Sequence, residues 1–284
     1  MPSTDPKSSK AERRDQAREQ ARLLREQQKK RETRNRFIAI GGLAAAVVVL
    51  AIVAVMIFRQ GSSNDTALPE YEDIPLSEVT SSPSVALEDG GFAVTADGVG
   101  TVDDSLTRID VYLDYMCPAC GSFETTNGDN LVSLASAGEA TVVYHPIAIL
   151  NRFSSGTGYS TRAAAAAALV AQDAPDAFAT FSEAMFAGQP EEGSTGLTNK
   201  EIADIARSAG VADGVADQIS DGTALERYGQ WVTSATNEVS ANADLVNPDS
   251  GNFGTPTITI DGTYWGENWT DPSALLDAVA QAGA

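Results

Sequence analysis

The chain contains two cysteines, Cys117 and Cys120, and they lie three positions apart. Residues i and i+3 of a helix share one face at about 5–6 Å, which is within the reach of a disulfide. Pro118, between them, is favoured at the first position of a helix. Cys117 is then expected to be exposed at the helix N-terminus, where the helix dipole lowers a cysteine pKa to roughly 3.5–7.5. We interpret the pair as a reactive dithiol in which Cys117 attacks and the shielded Cys120 resolves.

Three other uses of the pair fit the sequence less well. A structural disulfide across so short a loop restricts the unfolded chain little, because stabilisation grows with loop length. A structural zinc site needs four ligands, and the chain offers one histidine, His145, besides the cysteines. A Cys–His protease uses a single nucleophilic cysteine. We predict no metal site and no cofactor other than a redox-active Cys117–Cys120 disulfide.

Charge divides the 284-residue chain into two unlike parts. Residues 1–36 carry 12 Lys and Arg against 6 Asp and Glu, whereas residues 60–284 carry 6 against 33. Residues 37–58, between them, hold no charged side chain, and a helix needs about 20 apolar residues to cross a bilayer. Because basic flanks stay cytoplasmic, we predict a cytoplasmic tail, a single-pass uncleaved membrane anchor at 37–58 and an extracytoplasmic remainder. The acidic remainder has no basic stripe, which argues against a nucleic-acid partner.

Beyond the anchor, the composition predicts a linker followed by one folded domain. Residues 59–83 are rich in Gly, Ser, Asn, Pro and acidic side chains, which is typical of a flexible linker. Residues 84–284 are long enough for a substantial core. Within them, period-two alternation and β-branched residues predict strands at 92–95, 109–113 and 141–144.

The rest of the domain predicts helices and a hairpin. The helix that opens at Pro118 is expected to break at Asn127–Gly128, and a helical block is expected over about 155–243. A strand then leads through Asp261–Gly262, a two-residue hairpin turn, into a second strand. A final helix follows, with Asp271 as its cap. The order indicates an α/β fold with an all-helical insertion.

Three motifs of residues 84–284 resemble the DsbA-like thiol–disulfide oxidoreductases of the thioredoxin fold. They are "DYMCPAC" at 114–120, "VVYHPIAIL" at 142–150 and "GTPTITIDG" at 254–262. The resemblance implies a thioredoxin fold with Cys117 as the attacking and Cys120 as the resolving thiol. It also implies that Thr255 and Pro256 form a cis-proline loop that packs against the pair and binds the backbone of an extended client.

Other positions depart from the family pattern. Ala119 stands where the strongest oxidants of the family carry histidine, so we expect a less oxidising pair. Val111 stands where many relatives have a buried acid, and neither Asp110 nor Asp114 takes that position. The candidates for tuning or proton transfer are Pro118, Ala119, Asp114 and His145, the last being also readable as a structural histidine. Tyr115, Met116, Phe253 and Trp265 are candidates for the border of an apolar client groove, and a plain core role is an equally open interpretation for several of them.

The predicted function is that of a membrane-anchored oxidase of the extracytoplasmic space. Its partners are expected to be exported proteins with cysteines and a membrane protein that reoxidises the pair. Two alternatives remain open: a reductase or isomerase of the same fold, and a non-enzymatic module that binds clients or a metal.

Overall fold

The computed structural model describes residues 68–95 and 98–283. Strands in these residues form a single mixed sheet in the order β2-β1-β4-β3-β5-β6. The strands are β1 Phe92–Thr95, β2 Gly98–Gly100, β3 Thr107–Leu113, β4 Ala140–Pro146, β5 Thr257–Ile260 and β6 Thr263–Tyr264. The α-helices are α1 Pro118–Ala137, α2 Tyr159–Asp173, α3 Phe178–Ala187, α4 Asn199–Ser208, α5 Asp213–Ser220, α6 Thr223–Ala241 and α7 Pro272–Ala282.

The centre of the sheet brings the site together. Strands β3 and β4 run parallel, with Leu113 opposite Pro146, and β5 runs antiparallel to β3 with Thr257 opposite Tyr112. The carboxyl ends of β3 and β4 therefore meet at the edge where β5 begins. The alternation that predicts β3, β4 and β5 is confirmed, as is the hairpin at Asp261 and Gly262, both with positive φ.

Helix α1 starts at Pro118 and runs unbroken for 20 residues, so the predicted interruption at Asn127–Gly128 is wrong. Asn127 is buried, and its Nδ2 donates to the carbonyls of Phe123 at 3.3 Å and Trp269 at 2.8 Å. These bonds satisfy the Nδ2 group of Asn127 without freeing the helix backbone, while its buried Oδ1 has no hydrogen-bond partner. At Gly128 an added Cβ would lie 2.9 Å from Glu124 Oε1, so the glycine leaves room for this carboxyl.

The helical insertion runs from α2 to α6 and lies between β4 and β5. Six consecutive alanines of α2, 163–168, are fully buried, so this helix packs at close range against its neighbours. Phe178, Phe181 and Met185 of α3 are likewise fully buried, which confirms the core packing expected from their spacing. The capping box of Thr198 and Glu201 at the start of α4 is present.

Residues 68–83 lie against the domain, so the predicted flexible linker is wrong for this part of 59–83. Leu76, in a short 3-10 helix, is buried beside Trp231. Glu72 exchanges two hydrogen bonds with the side chain of Gln230 in α6, at 2.9 and 2.8 Å. Tyr71 lies over Gly229, whose missing side chain leaves room for the tyrosine hydroxyl. Apolar and amide contacts thus hold a segment whose composition alone is typical of a linker.

The predicted cytoplasmic tail and membrane anchor, residues 1–36 and 37–58, lie outside the described residues. Within 68–95 and 98–283, no helix is both long and apolar enough to cross a bilayer.

Candidate active site

Both cysteines lie at the start of α1, beside the loop that precedes β5. Cys117 is the N-cap of α1 and Cys120 lies in its first turn; both are free thiols. The Cys117 thiol donates to the Thr255 carbonyl at 3.2 Å. Cys117 is 7% exposed and Cys120 is 1% exposed. Cys117 is thus less exposed than predicted, because the Thr255 loop covers part of it, while Cys120 is shielded as predicted.

The surroundings of the two sulfurs move their pKa values in opposite directions. Hydrogen bonding from the Cys120 side chain is the main cause that lowers the pKa of Cys117 to about 6, against the opposing effect of burial. The Thr255 side chain and the backbone N–H groups of Cys120 and Ala119 lower it further. Burial raises the pKa of Cys120 well above its usual value. The outer sulfur is therefore a stable thiolate at neutral pH and the inner sulfur holds its proton.

Asp114 is a buried carboxyl directly after β3 and next to the pair. Its two carboxyl oxygens accept from the backbone N–H groups of Met116 and Leu150, both at 2.9 Å. Burial nevertheless raises the pKa of Asp114 to about 6, and the negative charge of Cys117 adds to the rise. The backbone N–H of Asp114 hydrogen-bonds the Cys120 sulfur. A proton-carrying acid is thus present beside the cysteines, although the position where many relatives have a buried acid is occupied by Val111.

The loop before β5 provides the third side of the site. The Thr255–Pro256 peptide bond is cis, as the resemblance implies, and the loop lies beside Cys117 through the Thr255 carbonyl. The Thr255 side chain also lowers the pKa of Cys120, so it affects both sulfurs. Thr257 Oγ1 donates to the Gly254 carbonyl at 2.7 Å and ties the loop to the start of β5.

His145 lies inside the sheet, and its contacts are those of a structural histidine. Its Nε2 is 2.8 Å from Asp110 Oδ1, and its ring stacks on Tyr112 with centroids 4.1 Å apart. Arg108 binds the same Asp110 oxygen at 2.6 Å and Asp89 Oδ2 at 2.6 Å. Burial would raise the pKa of Asp110, but hydrogen bonds from His145 and Arg108 lower it. In the described residues Asp89, Asp110 and His145 are close enough to share a metal ion, yet the guanidinium of Arg108 already lies between the two carboxylates.

The predicted apolar groove is only partly supported. Tyr115 and Met116 are completely buried, so they belong to the core and their assignment to a client groove is wrong. Trp265 is 9% exposed, while Phe253 is half-buried and lies edge-on to Tyr112. Among the neighbours of Cys117, Pro118 is exposed, and Ala119, Gln189, Thr255 and Pro256 are half-buried.

Sequence reasoning missed one residue that touches the site. Gln189 follows α3, and its Nε2 donates to the carbonyls of Tyr115 at 3.1 Å and Cys117 at 2.9 Å. The contact joins positions more than 70 residues apart, and no local motif marks the glutamine. Only the packing of α3 against the start of α1 brings it there.

A mixed sheet, a dithiol at a helix N-terminus and a facing cis-proline loop define a redox protein of the thioredoxin class. A thioredoxin family model matches residues 102–278, which is more than half of the chain. The chain belongs to this thioredoxin family.

Two mycobacterial structures narrow the class. The crystal structure of reduced DsbA from Mycobacterium tuberculosis matches at 30% identity with a TM-score of 0.54, covering 68% of this chain and 92% of that one. The reduced disulfide bond oxidoreductase DsbG from the same organism matches at 28% identity with a TM-score of 0.54, covering 70% and 89%. With the pair at Cys117 and Cys120, these neighbours identify a DsbA-like thiol–disulfide oxidoreductase, which confirms the resemblance predicted from the sequence.

Two further matches have narrower meaning. MdbA of Actinomyces oris, a thiol-disulfide oxidoreductase, matches at 21% identity with a TM-score of 0.56, covering 73% of this chain and 93% of that one; at this identity the likeness supports the fold alone. The serine/threonine-protein kinase PknE of M. tuberculosis is 33% identical over 173 residues, which is 60% of this chain and 29% of the kinase. The chain thus spans less than a third of that kinase, and kinase activity is not inferred.

Proposed function

We propose that this protein is a membrane-anchored oxidase that introduces disulfides into exported proteins through Cys117 and Cys120. The observation that carries the proposal is the asymmetry of the pair. Cys117 has its pKa lowered to about 6 whereas the pKa of Cys120 is raised by burial. A stabilised outer thiolate favours the reduced form of the pair, and a pair that prefers to be reduced oxidises other thiols.

The exchange proceeds in two steps that balance. A client thiolate attacks the Cys117 sulfur, the Cys117–Cys120 bond breaks, and Cys120 leaves as a thiolate that takes up a proton. A second client thiolate then attacks the client sulfur of the mixed disulfide, and Cys117 leaves as a thiolate. Two electrons pass from the client to the pair. The low pKa of Cys117 makes it a good leaving group in the second step.

Three groups of neighbouring residues assist in this scheme. Asp114, whose pKa is raised to about 6, supplies the proton that Cys120 takes up, while Pro118 and Ala119 shape the accessible rim of the pair. The loop of Thr255 and Pro256 presents backbone to an extended client. The redox-active disulfide is the only cofactor that the scheme needs, and a membrane oxidant accepts the two electrons afterwards.

The test is a trapping experiment with the full chain in its own membrane. In a Cys120→Ser variant the Cys117 thiolate attacks a disulfide of an exported protein, one client cysteine leaves as a thiolate, and the mixed disulfide cannot be resolved by residue 120, so we expect covalent adducts of exported proteins on Cys117. The matched control is Cys117→Ser, which should trap almost none. Equal adduct levels in the two variants would contradict the assigned order of the cysteines, and no adduct in either would exclude disulfide exchange with clients.

The direction of electron flow is decided by the redox state of the pair in growing cells. Alkylation of free thiols, followed by a mass shift, reads this state without interference because the chain has two cysteines. We expect the pair to be mostly oxidised, because only the disulfide form can accept electrons from client thiols. A mostly reduced pair would support the reductase or isomerase alternative instead.

We also propose that residues 37–58 anchor the protein, with residues 1–36 in the cytoplasm. The proposal is supported by the uncharged run and the basic flank of the sequence. An epitope placed before residue 37 should resist protease added to cell-wall-free cells, whereas an epitope after residue 283 should be digested. The opposite protection pattern would reverse the orientation.

A further inference from the structure

Gln189 contacts the site from the helical insertion. Helix α3 ends at Ala187, Gly188 caps it, and the Gln189 backbone N–H donates to the Phe186 carbonyl at 3.1 Å. This turn directs the glutamine side chain back toward α1. A primary amide carries two hydrogens, and Gln189 uses them on two carbonyls, Tyr115 at 3.1 Å and Cys117 at 2.9 Å. The two carbonyls flank Met116, so the amide clamps the segment that leads into the attacking cysteine.

The oxygen of the Gln189 side-chain amide also fits closely against helix α1, at Gly121. A Cβ added at Gly121 would lie 2.5 Å from Gln189 Oε1 and 3.3 Å from its Cδ, closer than real Cβ contacts allow. Gly121, one residue after Cys120, thus leaves room for the glutamine. A larger residue at position 121 therefore requires the Gln189 amide to shift, and we expect this shift to weaken its bonds to the two carbonyls.

Helix α3 holds the same segment through two more contacts. The Tyr115 hydroxyl lies 3.1 Å from Ser182 Oγ, and its ring lies 5.0 Å from that of Phe186. Tyr115 is fully buried. The segment that precedes Cys117 is therefore fixed by the insertion as well as by β3, which ends four residues before Cys117.

We propose that Gln189 is a positioning residue for thiol–disulfide exchange, holding the Cys117 backbone so that its sulfur stays over the first N–H groups of α1. The inference rests on the proposed function and adds a role for the insertion, which sets how reactive the pair is. The physical reason is that a hydrogen bond depends on the direction from the donor to the acceptor. The N–H groups of Ala119 and Cys120 act on the sulfur only while the Cys117 backbone keeps its orientation. Losing the amide also removes the Gln189 donor from the Tyr115 carbonyl, whereas the Cys117 carbonyl keeps the backbone N–H groups of Cys120 at 3.0 Å and Gly121 at 3.2 Å.

The first test replaces Gln189 by leucine, which has a similar size but no donor. We expect the pKa of Cys117, followed by the ultraviolet absorbance of the thiolate, to rise by about half a unit, or about threefold in the thiolate equilibrium. The equilibrium of the pair with glutathione should shift toward the disulfide by a similar factor. The matched control is Gln218→Leu, a glutamine of the same insertion whose Nε2 donates to Gly214 in its own helix.

The second test disturbs the Gln189 amide by a substitution in α1. Gly121→Ala should displace Gln189 and raise the pKa of Cys117, whereas in a Gln189→Leu background the same alanine should add little. The pair of variants keeps the test valid if Gln189→Leu alone folds poorly. Thermal unfolding is measured in parallel, because a merely structural role lowers the melting temperature and leaves the Cys117 pKa unchanged.

Two results would overturn the inference. One is a Cys117 pKa and a glutathione equilibrium that are equal in Gln189→Leu and Gln218→Leu. The other is an effect of Gly121→Ala that is equally large with and without Gln189. Neither measurement involves a client, so the failure of the oxidase proposal, seen as absent exchange with client thiols, is distinguishable from both.

Discussion

At the scale of single residues, the site works through unequal environments for chemically identical groups. Cys117 and Cys120 carry the same thiol, yet hydrogen bonds lower the pKa of the first and burial raises that of the second. The spacing of the cysteines predicts this division from the sequence alone. The lowering at Cys117 comes first from the Cys120 side chain and then from Thr255 and the N–H groups of Cys120 and Ala119, all of which lie in the motifs at 114–120 and 254–262.

The first prediction concerns the alkylation of Cys117. In the reduced native protein, the rate of its reaction with iodoacetamide should rise with pH to a midpoint near pH 6, because the pKa of Cys117 is about 6. In denaturant the midpoint should return to about 8.5, the ordinary cysteine value. Cys120 should react only after unfolding, since it is buried. Peptide mass analysis separates the two sites, and coincident midpoints in native and denatured protein would refute the assigned thiolate.

The second prediction concerns Asp114. Its pKa is raised from 3.8 to about 6 by burial, so the native state favours the protonated carboxyl. The stability that this provides is complete below about pH 4 and is lost as pH rises through about 6. Relative to Asp114→Asn, the wild type should lose about 2 kcal/mol of unfolding free energy between pH 4 and pH 7.

Denaturant unfolding of the oxidised protein measures this difference without a charge on Cys117. The control is Asp277→Asn, an exposed aspartate of α7, which should leave the pH dependence unchanged. Parallel pH profiles for the wild type and Asp114→Asn would show that the buried carboxyl does not titrate in this range.

At the scale of elements, the structure corrects the sequence where contacts are made across long separations. Alternation predicts β3, β4 and β5 because one strand period is visible within a few residues. The break expected at Asn127–Gly128 is absent because Trp269, 142 positions away, accepts from the asparagine side chain. The attachment of residues 68–83 depends on Gln230 and Trp231 of α6. Local composition carries no information on such partners, so these features and the role of Gln189 were beyond sequence reasoning.

The third prediction tests the attachment of residues 68–83 to α6. In Gly229→Ala the new Cβ would overlap the hydroxyl of Tyr71, so the segment should detach and become sensitive to limited proteolysis. Gly214→Ala is the matched control, because no atom lies within 4 Å of its added Cβ. That change in exposed helix α5 should stabilise the protein by up to about 1 kcal/mol. Equal cleavage of the 68–83 segment in both variants would argue against the Tyr71 contact.

At the scale of the whole molecule, redox chemistry and folding are linked. The native structure lowers the pKa of Cys117, so its thiolate contributes stability to the reduced protein. This contribution is present in full above the unfolded pKa of about 8.5 and is lost as pH falls through about 6. A fold that stabilises the reduced pair makes the disulfide the less stable state.

The fourth prediction follows from this link between the reduction of the pair and the stability of the fold. At pH 7 the reduced protein should unfold at a higher denaturant concentration than the oxidised protein. The difference in unfolding free energy should equal the difference between the reduction potentials of the native and unfolded pair multiplied by twice the Faraday constant, because two electrons are transferred. Unfolding curves of both forms, recorded with excess reductant or oxidant, provide the comparison. A more stable oxidised form would remove the thermodynamic basis for oxidase activity and favour the reductase alternative.

The packing of residues 68–83 along α6 also has a mechanical side. A load that enters at residue 68 meets the contacts of Leu68 with Gly158 and of Tyr71 with Gly229 before it reaches β1. These contacts are few and sequential, so they open one after another as in unzipping, whereas the paired strands of the sheet share a load among many hydrogen bonds. We expect a load applied at residue 68 to detach this segment from α6 before it disturbs the sheet that carries the dithiol.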